Sequence, residues 1–144
     1  MAIGKDAISL LKDDHDKVED LFSKFEKASG DGRKQALAEQ ICLELSVHTT
    51  IEEEIFYPAC KGLVDEDLLK EAYVEHDAAK QLIAEIMDEG PKDDSFYDAK
   101  VQVLSEQIEH HVDEEEKKLL AKETDLTLLQ NLATRSGSEV VTLP

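Results

Sequence analysis

Six side chains could do chemistry together in this chain: His15, His48, Glu52, His76, His111 and Glu115. They run as His, then His-x-x-x-Glu, and the same order returns at near-equal intervals in the second half. Residues four apart share one face of a helix, so each His-x-x-x-Glu can set an imidazole nitrogen and a carboxylate oxygen on one ion or on adjacent ions. An unpaired carboxylate in an apolar core costs several kcal/mol. Two glutamates and four imidazoles converging in one core therefore need either extensive internal hydrogen bonding or cations. That donor set suits iron, manganese or zinc better than calcium or magnesium. Were each glutamate to bridge two ions, every metal would have two imidazoles and two carboxylate oxygens. The remaining positions would be open to oxygen, peroxide or nitric oxide.

The elements that must position these donors are four long amphipathic helices. The first segment, about Lys5 to Ala28, reads Ile8, Leu11, His15, Val18, Phe22, Phe25 in steps of three and four, and stops at Ser29-Gly30-Asp31-Gly32. The second begins near Arg33 and reads Ile41, Leu45, His48, Glu52, Ile55, Ala59, with a kink or end expected at Pro58 and a stop at Gly62. The third follows Asp65, a candidate N-cap, through Leu69, Ala72, His76, Ala79, Ile83 and Ile86 to Gly90-Pro91. The fourth starts near Asp93-Asp94-Ser95 and reads Tyr97, Val101, Leu104, Ile108, His111, Glu115, Leu119, fading near Lys122. These steps trace the inward face of a packed helix, so each helix points one histidine into the core. Short links between long helices predict an all-α, up-down-up-down four-helix bundle over residues 1–122. A short helix over about Asp125–Ala133 and a frayed tail are expected within 123–144. The two halves read as copies of one helical hairpin about a pseudo-two-fold axis.

Composition agrees and excludes other classes. The 144 residues hold only 6 Gly and 3 Pro, which favours helix over sheet. With 34 Asp+Glu against 16 Lys+Arg the net charge is −18, which argues against nucleic acid or an anionic membrane as partner. No stretch approaches the ~18 apolar residues of a membrane span, and the opening residues lack the pattern of a secretory signal. Cys42 and Cys60 fall in one predicted helix, about 27 Å apart at ~1.5 Å per residue, beyond disulfide reach. Free thiols without an export signal point to the cytoplasm. No phosphate-binding glycine loop and no Ser-His-Asp arrangement is present.

The order His15, His48-x-x-x-Glu52, His76, His111-x-x-x-Glu115 resembles the hemerythrin-like HHE cation-binding domain. Local context agrees: Leu10-Leu11 before Asp14-His15-Asp16, the run from His48 through Glu52-Glu53-Glu54 to Tyr57-Pro58, Glu75-His76, and His110-His111 through Glu116. The likeness covers about residues 5–122. It implies a non-haem centre of two iron ions, oxo- or hydroxo-bridged and spanned by the two glutamates, while the donor set by itself leaves manganese or zinc open. It also implies a small diatomic ligand or peroxide as the binding partner. The chain departs from the oxygen-carrying hemerythrins at Lys80, where those proteins have a further histidine. It departs again at Glu115-Glu116, where they have an aspartate five residues after the last histidine.

His110 falls on a mixed face with Val103, Gln107 and Glu114 and is left out of the ligand set. The runs Glu52-Glu53-Glu54 and Glu114-Glu115-Glu116 otherwise read as solvated faces. Tyr57 and Tyr73 read as core or surface residues, with a hydrogen bond to the site or a place at its entrance as the alternative. Cys42 and Cys60 read as packing residues. Three functions stay open at this point. One is a di-iron protein that binds or senses oxygen or reactive oxygen and nitrogen species. The second is a peroxidase- or catalase-like di-iron enzyme, or a ferroxidase. The third is a metal-free module whose acidic faces meet a basic partner.

Overall fold

The computed structural model describes residues 3–119. The expected helix over 125–133, the tail, the boundary after residue 122 and the inward placement of Leu119 lie outside the described residues. Helix α1 (Ile3–Lys27) turns through Ala28–Gly30 into α2 (Asp31–Ile51). A π turn (Glu52–Phe56) and a short α3 (Tyr57–Cys60) extend α2, with helical backbone angles at both junctions. Then come α4 (Glu66–Asp88), α5 (Tyr97–Glu114) and a second π turn (Glu115–Leu119). Helix α1 packs on α2 and α5, and α4 packs on α2 and α5, which closes an up-down-up-down bundle. Among the described residues no helix is long and apolar enough to cross a membrane.

The turns follow local chemistry. Gly30, at φ 92°, caps α2 in a backbone region that other residues enter at a cost. Gly32, expected in the turn, instead lies inside α2, because the helix already starts at Asp31. Gly62, at φ 83°, ends α3, and the Asp65 side chain accepts from the Asp67 N–H at 2.9 Å to start α4. Before α5 the Asp94 side chain accepts from the Phe96 N–H at 2.8 Å, in the turn that leads into the helix.

The core comes in two pieces. One holds Val18, Phe22 and Phe25 of α1 against Leu37–Leu45 of α2, Ala79–Ile86 of α4 and Tyr97–Ile108 of α5. The other, toward the opposite end, holds Ile8, Leu11, Phe56, Tyr57, Ala59, Cys60, Leu69 and Ala72. Cys42 sits in the first and Cys60 in the second, both as free buried thiols. Burial pushes their pKa values up to about 11 and about 12, which keeps them inert. Between the two apolar pieces lies a polar layer.

Candidate metal centre

That layer is made of the six side chains singled out by spacing. His15, His48, Glu52, His76, His111 and Glu115 are all buried, Glu52 to 0% exposure. They form two half-sites that share both glutamates. In the first, His48 Nε2 lies 3.1 Å from Glu52 Oε2, and His15 Nε2 lies 3.2 Å from Glu115 Oε1. In the second, His76 Nε2 lies 3.0 Å from Glu52 Oε1, and His111 Nε2 lies 3.3 Å from Glu115 Oε2. Each carboxylate thus turns one oxygen to each half-site.

Four further carboxylates set the protonation of the imidazoles. His15 Nδ1 meets Glu116 at 2.7 Å, His48 Nδ1 meets Asp14 at 3.2 Å, His76 Nδ1 meets Glu53 at 2.7 Å, and His111 Nδ1 meets Glu75 at 2.6 Å. A carboxylate only accepts, so hydrogen-bond pairing assigns the proton to Nδ1 and leaves Nε2 with a bare lone pair in the neutral ring. Yet these Nε2 atoms face each other, His15 to His48 at 3.1 Å and His76 to His111 at 3.2 Å, with carboxylate oxygens beside them. Lone pairs that close repel unless positive charge lies among them. Without metal the charge must be protons. Burial alone would lower the His48 and His111 pKa values, but Glu52, Asp14 and Glu115 push His48 up to about 10, and Glu115 with Glu52 push His111 up to about 11. Burial alone would raise the Glu52 pKa, but His48, Glu115 and His111 hold it well below the ordinary carboxylate range. Among the described residues, Glu52 Oε2 and Glu115 Oε1 are buried with no dedicated hydrogen-bond donor, their near neighbours being the His48 and His15 Nε2 atoms at 3.1 and 3.2 Å. Carboxylate oxygens buried among inward imidazole nitrogens fit bound metal cations.

The Asp14, Glu53, Glu75 and Glu116 contacts were not foreseen, and Glu53 and Glu116 correct the reading of the glutamate runs as solvated faces. The signal was in the repeat. An acid precedes the first histidine of each half (Asp14, Glu75), and a second glutamate follows each inward one (Glu53, Glu116). Each such acid supports a histidine on another helix, as in the carboxylate–histidine–metal arrangements that orient metal ligands.

Tyr57 is the other correction. Its hydroxyl donates to Glu115 Oε2 at 2.5 Å and lies 3.2 Å from Glu52 Oε1, 3.1 Å from His76 Nε2 and 3.3 Å from His111 Nε2. Burial and the two carboxylates push its pKa up, so it is a neutral phenol in the metal-free layer. The three-and-four stripe pointed instead to Ile55, which is only half-buried, whereas Phe56 and Tyr57 are each 1% exposed. The cause is the π turn, in which the Tyr57 N–H donates to the Glu52 carbonyl five residues back. At about 100° per residue an α-helix would swing Tyr57 roughly 140° away from Glu52. The π turn brings it onto the same face. Pro58, where a kink or an end is expected, follows this π turn and the helix ends at Cys60, while the π turn at Glu115–Leu119 contains no proline. What the two turns share is a buried glutamate as first residue.

Lys80 lies 2.9 Å from Glu53 Oε2 and fastens the carboxylate behind His76. His110 is on the surface near Glu75 and Glu114, at 3.6 and 3.7 Å. Tyr73 is 37% exposed and meets the Tyr57 ring edge-on. On the other side of the layer, Val18, Leu45, Ile108 and Val112 join the four histidines around a cavity of ≈ 20 Å³. This is room for about one water-sized molecule.

A family model of the hemerythrin HHE cation binding domain matches residues 6–122. The chain belongs to the hemerythrin HHE family. Its hemerythrin domain and buried His/Glu cluster together give it the character of a metal-binding protein. A "DNA nickase" of Nostoc sp. (strain PCC 7120 / SAG 25.82 / UTEX 2576) is 30% identical over 112 residues, covering 78% of this hemerythrin-family chain. The chain spans only 32% of that relative's length. No solved structure matches it.

Proposed function

We propose that this is a non-haem di-iron protein that binds or senses oxygen, peroxide or nitric oxide. In this reading His15, His48, Glu52, His76, His111 and Glu115 are the ligands, and both glutamates bridge. The facing Nε2 atoms, each backed by a carboxylate on Nδ1, carry the reading: an imidazole so held offers its lone pair inward and asks for a cation. Iron bound there supplies one-electron redox chemistry and open coordination positions. The chain's own part is to hold the four Nδ1 protons, to wall the layer off from water with its two apolar clusters, and to limit the inner ligand to diatomic size through the ≈ 20 Å³ cavity. Metal analysis of protein expressed with ample iron tests this. Two irons per chain with an oxo-bridged diferric absorption spectrum support it, and protein that holds no metal overturns it.

One observation favours a second reading as a peroxidase- or catalase-like enzyme or a ferroxidase: the Tyr57 O–H puts a proton-bearing group inside the second half-site. Mixing reduced protein with excess peroxide separates the two. Many turnovers support an enzyme, and one stoichiometric oxidation supports a binder or sensor. DNA cleavage is left out of both readings. A chain of net charge −18 repels a polyanion, and the likeness covers 32% of the nickase. Two free buried thiols suit a reducing compartment, and we place the protein in the cytoplasm.

A further inference from the structure

The two half-sites have the same four kinds of donor but not the same neighbours. Only the second contains a phenol. The Tyr57 oxygen is within 3.3 Å of every donor atom of that half-site, namely one oxygen each of Glu52 and Glu115 and Nε2 of His76 and His111. We propose that Tyr57 is a ligand of the second metal ion, bound as phenolate in the oxidised protein, and that it makes the two ions chemically unequal. This rests on the di-iron reading above.

The ring cannot step aside for an ion. It is 1% exposed and boxed in by Phe56, Tyr73 and His76, with ring centroids at 5.8, 5.3 and 5.3 Å. A cation held by the four donors therefore has the Tyr57 oxygen as its next neighbour. Oxygen donors suit ferric iron, and tyrosine is an established ligand to iron in proteins. On coordination the phenol O–H bond breaks, the oxygen keeps the electron pair for the metal, and the proton passes to solvent. No electron is transferred in this step.

The repeat supplies the contrast. Tyr57 is the fifth residue after Glu52, and the π turn is what carries it inward. The fifth residue after Glu115 is Leu120, a hydrocarbon with no donor to offer. Lys80 does not fill the gap in the second half-site, being turned to Glu53. The phenol is thus an extra oxygen donor at one half-site, and among the described residues the other half-site has no phenol.

The test reads spectra and iron content on the same samples of oxidised, iron-loaded protein. A phenolate on ferric iron gives a visible charge-transfer band, and resonance Raman excitation in that band enhances tyrosine ring vibrations. The wild type is expected to show both. Tyr57→Phe is expected to lose both while retaining two irons per chain. The chain has three tyrosines, so Tyr73→Phe/Tyr97→Phe leaves Tyr57 alone, and this double variant is expected to keep the band. It also carries the test should Tyr57→Phe fail to fold. Iron-loaded wild type without the band, a band that survives in Tyr57→Phe, or a band lost from the double variant overturns the inference while the di-iron reading stands. Protein without iron overturns both.

Discussion

At the Nδ1 atom of each buried imidazole a carboxylate decides what the opposite nitrogen can do. Glu53 and Glu75 are the clearest cases, at 2.7 and 2.6 Å from His76 and His111. Replacing either with Gln leaves a hydrogen bond of similar shape but removes the charge that makes the imidazole a strong donor. Metal affinity should fall about ten- to a hundred-fold, or about 1.4–2.7 kcal/mol, as measured by competition with a chelator. Glu52→Ala is a different kind of change. It removes an oxygen from both half-sites at once, so metal analysis should show loss of both ions. The melting temperature should then no longer respond to iron, because a ligand bound only by the folded state contributes about 4 kcal/mol at a thousand times its Kd. At this scale the six inward donors were legible because each interrupts an apolar stripe in a repeated order. Asp14, Glu53, Glu75 and Glu116 were harder to see, since an acid beside a helical face reads the same whether it meets water or another helix's histidine.

Helix ends depend on local rules, and most of them could be read. Gly62 at φ 83° and the Asp65 cap together reverse the chain between α3 and α4. Gly62→Ala forces a Cβ into a left-handed backbone, and Asp65→Ala leaves the Asp67 N–H without its acceptor. Each should cost about 1 kcal/mol in urea unfolding. Neither residue touches the polar layer, so metal content should not change. The π turns could not be read in this way. Their i+5 hydrogen bonds break the 3.6-residue period on which an amphipathic stripe depends. This is why the apolar stripe points to Ile55 while Tyr57 is the residue that turns inward.

For the whole molecule, the polar layer splits one bundle core into two apolar clusters, and its charge balance sets how stability varies with pH. His48 and His111 are pushed up from 6.5 to about 10 and about 11 in the metal-free fold, so folding takes up protons there. The stability this brings is fully present below about pH 6.5 and is lost as pH rises through 10 and 11. Glu52 is held low, so its contribution is present above about pH 4.5 and fades as pH falls further. Chelator-treated protein should therefore melt highest between about pH 4.5 and 6.5 and lower at pH 9 and above. Loaded with metal, the same protein should lose that alkaline decline, because cations replace the protons and bind better as pH rises. A melting curve of the chelated protein that stays flat from pH 6 to 10 would contradict the raised histidine pKa values.

Spacing along the chain by itself determined the class of fold and which six donors turn inward. Helical periodicity repeats within four residues, and burying a charged group unaided is too costly for those positions to be accidental. Only the tertiary structure decided which carboxylate backs which imidazole, that each glutamate faces both half-sites, and that Tyr57 stands in one half-site alone. These are contacts between helices, or consequences of a π turn. They depend on where one helix lies against another, which a pattern of threes and fours within a single helix does not encode.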